Sequence, residues 1–196
     1  MALLVKSIAD MICEQGNEVV DDVIAGFSCR YNEEIDNYLR NRAVDFTRKS
    51  MTMTHLVFET GTGLCVGYFA LTHKPLTLDG SKFNNTQRKR IERFAKLDAE
   101  TGCYTVSAFL IAQIGKNYLA QNGELISGVA LLDLAKDELL VAKQKIGGQI
   151  VFVEMEHGNE LLAKFYADNG FVLFGSRDDV ENGKPITYDQ LFLFLK

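Results

Sequence analysis

Residues that can exchange protons lie close together between positions 154 and 166. Glu154, Glu156 and His157 follow an apolar run, and Tyr166 lies further along the chain. A carboxylate or an imidazole can accept a proton and a phenol can donate one, provided that each faces a reacting group. Taken alone, Tyr166 is also compatible with a half-buried helix tyrosine and His157 with a loop residue.

A second candidate for chemistry is the segment 112–132, whose pattern predicts a strand, a loop and the start of a helix. Glycines recur in it at Gly115, Gly123 and Gly128, and glycine lets a backbone approach a ligand closely. Backbone N–H groups at a helix start form an anion site, and the helix dipole favours a pyrophosphate there. An ordinary connection between strand and helix is the alternative.

The acid–base residues are positioned by a strand, a helix and a second strand. The apolar, β-branched and aromatic run at 150–153 predicts a buried strand. Asn159 is suited to an N-cap, apolar residues then recur at spacings of three and four, and Asn169-Gly170 ends the helix. Another strand begins at Phe171.

The remaining elements follow from the period of the apolar residues. In chain order we expect an edge strand at 3–6, two short helices within 8–25, a helix from Asn32 to Phe46, a hairpin with strands at 53–59 and 64–71, an inserted helix at about 84–97, a buried central strand at 104–116, a long helix from Ser127 to Ile146, a loop after Asp178 and a final strand at 187–195. We expect one domain spanning residues 1–196.

Composition limits the classes of function. The chain has 21 basic and 26 acidic residues and a net charge of -5, which argues against a strongly electrostatic nucleic-acid or membrane binder. The N-terminal apolar run is interrupted at Lys6 and Asp10, before it reaches the length of a membrane span. Four cysteines are spread singly, so neither a zinc site nor a disulfide framework is indicated. We expect a cytoplasmic protein with no metal and no membrane partner.

Six residues of the helix and its C-terminal flank match a known pattern: Asn159, Ala163, Phe165, Tyr166, Gly170 and Phe171. This stretch resembles the acetyl-coenzyme A (acetyl-CoA) binding end of the GCN5-related N-acetyltransferases (GNAT). The hairpin sequence Val66-Gly67-Tyr68 is similar to the same family. The resemblance covers about residues 50–175. It implies an α/β (α+β) fold: a mixed, mainly antiparallel sheet of six or seven strands, helices on both faces, and a V-shaped split between two central strands where coenzyme A lies.

The resemblance also implies roles for residues. Tyr166 would give a proton to the departing thiolate, and a backbone N–H near the end of the central strand would stabilise the oxyanion. Acetyl-CoA, as co-substrate, would be bound by Ile114, Gly115, Lys116, Gly123, Ser127, Gly128, Val129 and Asn159. Glu154 ranks first among the groups that could deprotonate the incoming ammonium, although a water chain can serve instead.

The sequence departs from the family pattern in the phosphate loop. Gly123 stands where glutamine or arginine is expected, Ile126 replaces the middle glycine, and the loop is about two residues longer. Backbone groups can still bind a pyrophosphate after such changes, but the affinity and the shape of the loop are put in question.

The N-terminal half from Phe27 is similar to a subgroup of the family that contains bacterial toxins acetylating the amino acid on charged tRNA. Such proteins need basic surface, since phosphate neutralisation dominates affinity for RNA, and this chain is acidic. The basic run Arg88-Lys89-Arg90 could contact a phosphate-rich acceptor, but a solvated helix face is the interpretation that we favour.

Three hypotheses follow. The first is an acetyl-CoA-dependent N-acetyltransferase acting on a primary amine of a small molecule or peptide by direct attack in a ternary complex. The second keeps this chemistry with aminoacyl-tRNA as acceptor. The third is a non-catalytic acyl-CoA-binding or interaction module. A homodimer is compatible with each of them.

Overall fold

The structure is a computed structural model that describes residues 2–119, 122–181 and 183–196. Within these ranges the chain forms seven strands, seven α-helices and two short 3-10 helices. In chain order they are β1 (Leu3–Ser7), α1 (Ile8–Gln15), α2 (Asn17–Ala25), α3 (Glu33–Asn41), α4 (Ala43–Arg48), β2 (Met53–Glu59), β3 (Cys65–Asp79), a 3-10 turn (Gly80–Lys82), α5 (Asn85–Ile91), β4 (Cys103–Lys116), a 3-10 turn (Asn122–Glu124), α6 (Gly128–Ile146), β5 (Ile150–Glu156), α7 (Glu160–Asp168), β6 (Val172–Glu181) and β7 (Lys184–Phe194).

The seven strands are hydrogen-bonded in the order β1-β2-β3-β4-β5-β7-β6. Strand β4 pairs with β5 in parallel, whereas β1 with β2, β2 with β3, β5 with β7 and β6 with β7 are antiparallel. The parallel ladder contains only Phe109 with Val151 and Leu110 with Phe152, although both strands continue further. A mixed, mainly antiparallel sheet of seven strands is the fold class that the sequence predicts.

Several boundaries differ from the predicted ones, and tertiary packing explains the clearest case. The helix predicted from Asn32 to Phe46 is broken at Arg42, whose backbone leaves the helical region. The break lets α4 bury Ala43 and Thr47, which are 0% and 5% exposed. Helical period alone cannot reveal such a change of direction.

Three other predicted boundaries are wrong. Strand β3 runs on to Asp79, because buried Leu76 and Leu78 alternate with exposed neighbours and so continue the strand period. Helix α5 ends at Ile91, six residues short of the predicted end. The loop predicted after Asp178 is largely a hairpin, in which β6 continues to Glu181 and pairs with the start of β7.

The chain divides into two compact units, and the first comprises Met1–Thr72 and Ile111–Ala142. Its core is built by residues of α1 to α4, β2 and β3, such as Ile8 and Leu39, and by Phe27 in the connection between α2 and α3. Tyr68 lies in this core with its ring 5.2 Å from that of Phe27, and its hydroxyl donates to the carbonyl of Ile35 at 2.8 Å. Helix α3 is thereby fixed against β3.

The second unit comprises His73–Leu110 and Lys143–Lys196. Strand β5 is its central apolar strand, and residues 150–153 are at most 3% exposed. An aromatic cluster packs beside it, with the ring of Phe192 5.4 Å from Phe83 and 5.8 Å from Phe174. No described helix combines the length and apolar character that a membrane span requires.

Candidate active site

The predicted site residues fall into two groups, one in each unit. Ile114, Gly115, Lys116, Gly123, Ser127, Gly128 and Val129 belong to the first unit, and Glu154, Asn159 and Tyr166 to the second.

In the first unit, helix α6 begins with two backbone donors directed at no described acceptor. The Ser127 hydroxyl caps the helix by accepting from the amide of Ala130 at 3.0 Å, and the Ser127 carbonyl accepts the first helical bond, from Leu131. No described residue accepts a hydrogen bond from the amide of Gly128 or Val129. Because α6 is 19 residues long, its dipole adds to the attraction of these amides for an anion. This start fits the pyrophosphate of coenzyme A.

The glycine at the end of β4 is explained by packing. A Cβ at Gly115 would lie 2.3 Å from Cγ2 of Ile35, and a Cβ at Gly67 on β3 would lie 3.0 Å from the carbonyl oxygen of Gly115. Strand β4 therefore approaches both α3 and β3 closely at this position. If the thioester also approaches the backbone closely here, it too requires a residue without a side chain at position 115.

The end of β4 is fixed by a side chain whose contacts the sequence does not reveal. Asn117 is 1% exposed and satisfies every polar atom of its amide: it donates to the carbonyls of Gly26 and Cys65 and accepts from the amides of Ser28 and Leu119, all at 2.9–3.0 Å. Its backbone amide donates to Val66 of β3.

This pairing also sets the direction of the preceding amides. Since neighbouring N–H groups of a strand point to opposite edges, the amides of Ile114 and Lys116 point away from β3. The oxyanion role predicted for this strand end requires such an orientation.

The loop between β4 and α6 is shaped by Tyr118. A Cβ at Gly123 would lie 2.7 Å from its ring, so only glycine leaves room for the ring at this position. Ile126, which replaces the middle glycine of the family pattern, is 4% exposed and points into the core. The departure therefore places no side chain on the surface that would face a phosphate. The ring of Tyr118 also contacts Lys116, whose Nζ lies 5.4 Å from the ring centroid.

In the second unit, Asn159 begins α7. Its side-chain oxygen accepts from the amide of Leu162 at 3.1 Å, which makes it the N-cap that the sequence predicts. Its side-chain nitrogen bonds no described residue, and the residue is exposed. Capping thus leaves one amide donor for a ligand.

Tyr166 lies two turns along the same helix. The residue is 4% exposed, and its ring packs edge-on against Phe165 and Phe171, with centroids 5.4 Å away in each case. No described residue forms a hydrogen bond with its hydroxyl. Burial raises the pKa of this phenol well above its ordinary value, so the hydroxyl keeps its proton at neutral pH. A protonated, positioned phenol is the form that a proton donor requires.

Glu154 is held by three donors. Nε and an Nη of Arg177 donate to its two carboxylate oxygens, each at 2.8 Å, and Nε2 of Gln190 donates at 2.7 Å. Burial alone would raise the pKa of Glu154, but these hydrogen bonds outweigh it and hold the pKa below its ordinary value. Such a carboxylate is a weak proton acceptor, and its contacts favour a structural role.

His157 has a partner that the sequence analysis missed. Its Nδ1 lies 3.0 Å from Oδ1 of Asp189 on β7, and its side chain is 69% exposed. A carboxylate acceptor favours the tautomer in which Nδ1 carries the hydrogen and Nε2 can accept a proton. The two residues are 32 positions apart, so only the pairing of β5 with β7 brings them together.

Other groups that could carry chemistry are the cysteine thiols and clusters of metal-ligating side chains. Burial raises the pKa of the Cys65 thiol to about 11, which suppresses the reactive thiolate. No group of three histidine, cysteine or acidic side chains suited to a metal ion occurs in the described ranges.

Similarity to known proteins is found among solved structures. No protein-family model and no curated protein matches the chain. Among solved structures, the toxin AtaT complexed with acetyl-methionyl-tRNAfMet aligns over 96% of this chain and 95% of its own, with a TM-score of 0.63 and 15% identity. A tyrosine-to-phenylalanine mutant of KacT aligns over 96% and 95%, with a TM-score of 0.63 and 18% identity. AtaTR bound with AcCoA aligns over 98% and 93%, with a TM-score of 0.59 and 16% identity.

These structures share the GNAT-like fold. The chain has this fold over nearly its whole length, as its sequence predicts.

Proposed function

We propose that this protein is an acetyl-CoA-dependent N-acetyltransferase whose acceptor is the amino group of an aminoacyl-tRNA. The observation that carries the proposal is Tyr166, a phenol that is almost wholly buried, keeps its proton, and has no hydrogen-bond partner among the described residues. No buried side-chain oxygen among the described residues lacks a hydrogen-bond partner, so the unpaired Tyr166 hydroxyl keeps some exposed surface through which a ligand can reach it. The sulfur of a thioester is the partner that we assign.

The chemistry needs placement more than special reactivity. The neutral amine attacks the thioester carbonyl, so that a C–N bond forms and the C–S bond breaks. Amides near Ile114 and Lys116 would stabilise the charge on the carbonyl oxygen. Tyr166 would donate its proton to the departing thiolate, and the proton lost by the attacking nitrogen would restore the phenol, giving free coenzyme A and an acetamide. The unpaired amides of Gly128 and Val129 would bind the pyrophosphate, and the free amide nitrogen of Asn159 the pantetheine arm.

The proton of the incoming ammonium needs an acceptor. Glu154, our first choice from sequence, is already paired with Arg177. His157 is exposed, precedes Asn159 by two residues, and is oriented by Asp189. We therefore assign this step to His157, with solvent as the next acceptor.

The choice of acceptor is supported by the structural neighbours. AtaT was solved with acetyl-methionyl-tRNAfMet, and AtaTR with AcCoA, and both align over nearly the whole chain. We therefore prefer aminoacyl-tRNA to the small-molecule or peptide amine that the acidic composition suggests. The small amine remains the second candidate, because the net charge of -5 opposes RNA binding.

The proposal is tested by measuring thiol release from acetyl-CoA with a panel of acceptors. We expect release and a stable N-acetyl product with aminoacyl-tRNA, and none with deacylated tRNA or with aminoacyl-tRNA whose amine is already formylated. Release with small amines alone would mean that the acceptor is a small amine and not aminoacyl-tRNA. Binding of acetyl-CoA without release for any amine would make the protein a non-catalytic acyl-CoA binder.

A further inference from the structure

Residues 82–96, here called the basic segment, carry an unusual concentration of positive charge. It contains one acidic residue, Glu92, and six basic ones: Lys82, Arg88, Lys89, Arg90, Arg93 and Lys96. Its net charge is therefore +5 in a chain whose total is -5. The segment includes α5 and the turns on both sides.

The charge of the basic segment is not neutralised within the described chain. No described carboxylate lies within ion-pair distance of any of its cations, whereas five of the fifteen lysines and arginines outside it have such a partner: Lys6, Lys49, Lys136, Lys164 and Arg177. Glu92, the acidic residue among them, accepts a hydrogen bond from the Tyr104 hydroxyl at 2.8 Å instead. Among the described residues, the basic segment therefore lacks the salt-bridged helix face that a charge run usually forms.

The basic segment is held in a fixed position. Asn84 and Gln87 form a capping box at the start of α5, and Ile91 is 0% exposed in the core. The guanidinium of Arg90 lies 4.0 Å from the ring centroid of Phe194, which anchors this cation to β7. The other cations lie at the surface, where Lys82, Lys89, Arg93 and Lys96 are exposed and Arg88 is partly exposed.

The basic segment also presents an aromatic ring beside its cations. Phe94, next to Arg93, is 41% exposed. A polyanion with unstacked rings would match both features, since phosphates pair with the cations and a base can stack on the phenyl ring.

We propose that the basic segment is the surface that binds the phosphate backbone of an RNA acceptor. The inference rests on the proposed function and deepens it, because it shows how an acidic protein can hold tRNA. RNA is favoured over an anionic membrane by the single exposed aromatic among the cations, since a membrane-binding helix needs a broad apolar face.

The test compares two triple variants that remove the same charge from the second unit. One is Arg88→Gln, Lys89→Gln and Arg93→Gln, which leaves Arg90 in its packing role, and glutamine is a good helix former. The control is Lys145→Gln, Lys184→Gln and Lys196→Gln. Affinity for deacylated tRNA is measured by fluorescence anisotropy at several KCl concentrations, with phosphatidylserine vesicles as a second probe.

We expect the first variant to bind tRNA on the order of tenfold more weakly, and its slope of log affinity against log salt to fall by about 2–3, while the control changes little. Equal losses of tRNA affinity in both variants would overturn the inference, because net charge and not the basic segment would then determine binding. Absent tRNA binding by the unmodified protein, or binding only to vesicles, would also overturn it.

The two proposals fail separately. If aminoacyl-tRNA is acetylated equally well by both variants, the basic segment is not the binding surface but the proposed function stands. If tRNA binds through the basic segment but is never acetylated, the surface stands and the function fails. Thiol release with a small amine reports whether each variant keeps its chemistry.

Discussion

At the scale of single residues, Glu154 shows how partners decide chemistry. Its depressed pKa means that ionised Glu154 stabilises the folded state above the pKa of the unfolded chain, near 4.3 for an ordinary glutamate. This stabilisation is lost as pH falls through the lower pKa of the folded state. The ionisation of Glu154 therefore makes the free energy of unfolding depend on pH in the acid range.

We predict that Glu154→Gln lowers the free energy of unfolding at pH 7 by about 1–2 kcal/mol, a figure reduced because Arg177 is 40% exposed. The variant should also lose less stability than the unmodified protein between about pH 5 and pH 3. Urea unfolding at several pH values measures both effects.

Glu156→Gln is the matched control, since Glu156 is exposed on the same strand and should leave stability unchanged. Acetyl transfer by folded Glu154→Gln should stay within about threefold of normal. A hundredfold loss of rate at normal stability would instead make Glu154 the proton acceptor.

At the scale of elements, the start of α6 carries the prediction for acetyl-CoA. Proline is well tolerated at the first helical position and lacks an amide hydrogen. Gly128→Pro therefore removes one donor while keeping the helix, and Gly128→Ala adds a side chain while keeping the donor.

We expect Gly128→Pro to weaken coenzyme A binding roughly 10- to 100-fold, the value of one hydrogen bond to a charged group. Gly128→Ala should weaken it by less than about threefold. Calorimetric titration measures both, and thermal unfolding checks the fold. Equal affinities for the two variants would exclude the Gly128 amide from the phosphate site.

Elements with a strong local period could be predicted from the sequence. The helix from Gly128 to Ile146, the central strand β4 and the strand, helix and strand from Ile150 onwards all follow from apolar spacing and end signals. The break at Arg42 could not, because it serves the burial of Ala43 and Thr47 by distant residues.

The candidate site was predictable to a similar extent. Tyr166 and Asn159 are recognised through local spacing on one helix. The partners of Glu154 and His157 could not be recognised, since Arg177, Gln190 and Asp189 lie 23–36 residues away and reach them only through strand pairing.

At the scale of the whole molecule, charge is unevenly distributed. The first unit contains eight basic and fourteen acidic residues, whereas residues 73–110 contain seven basic and four acidic. Net charge is therefore a poor guide to RNA binding in this chain, because a local field acts within about a Debye length of ~10 Å. A single domain, a homodimer and a cytoplasmic location stay predictions.

The central claim is that Tyr166 protonates the departing thiolate of acetyl-CoA. The most direct measurement is single-turnover acetyl transfer to aminoacyl-tRNA by the unmodified protein and by Tyr166→Phe, with acetyl-CoA affinity measured in parallel. We predict a rate lower by about 10²–10⁴-fold in the variant, with affinity and thermal stability nearly unchanged. Equal rates in the two proteins, with both folded and saturated with acetyl-CoA, would contradict the account.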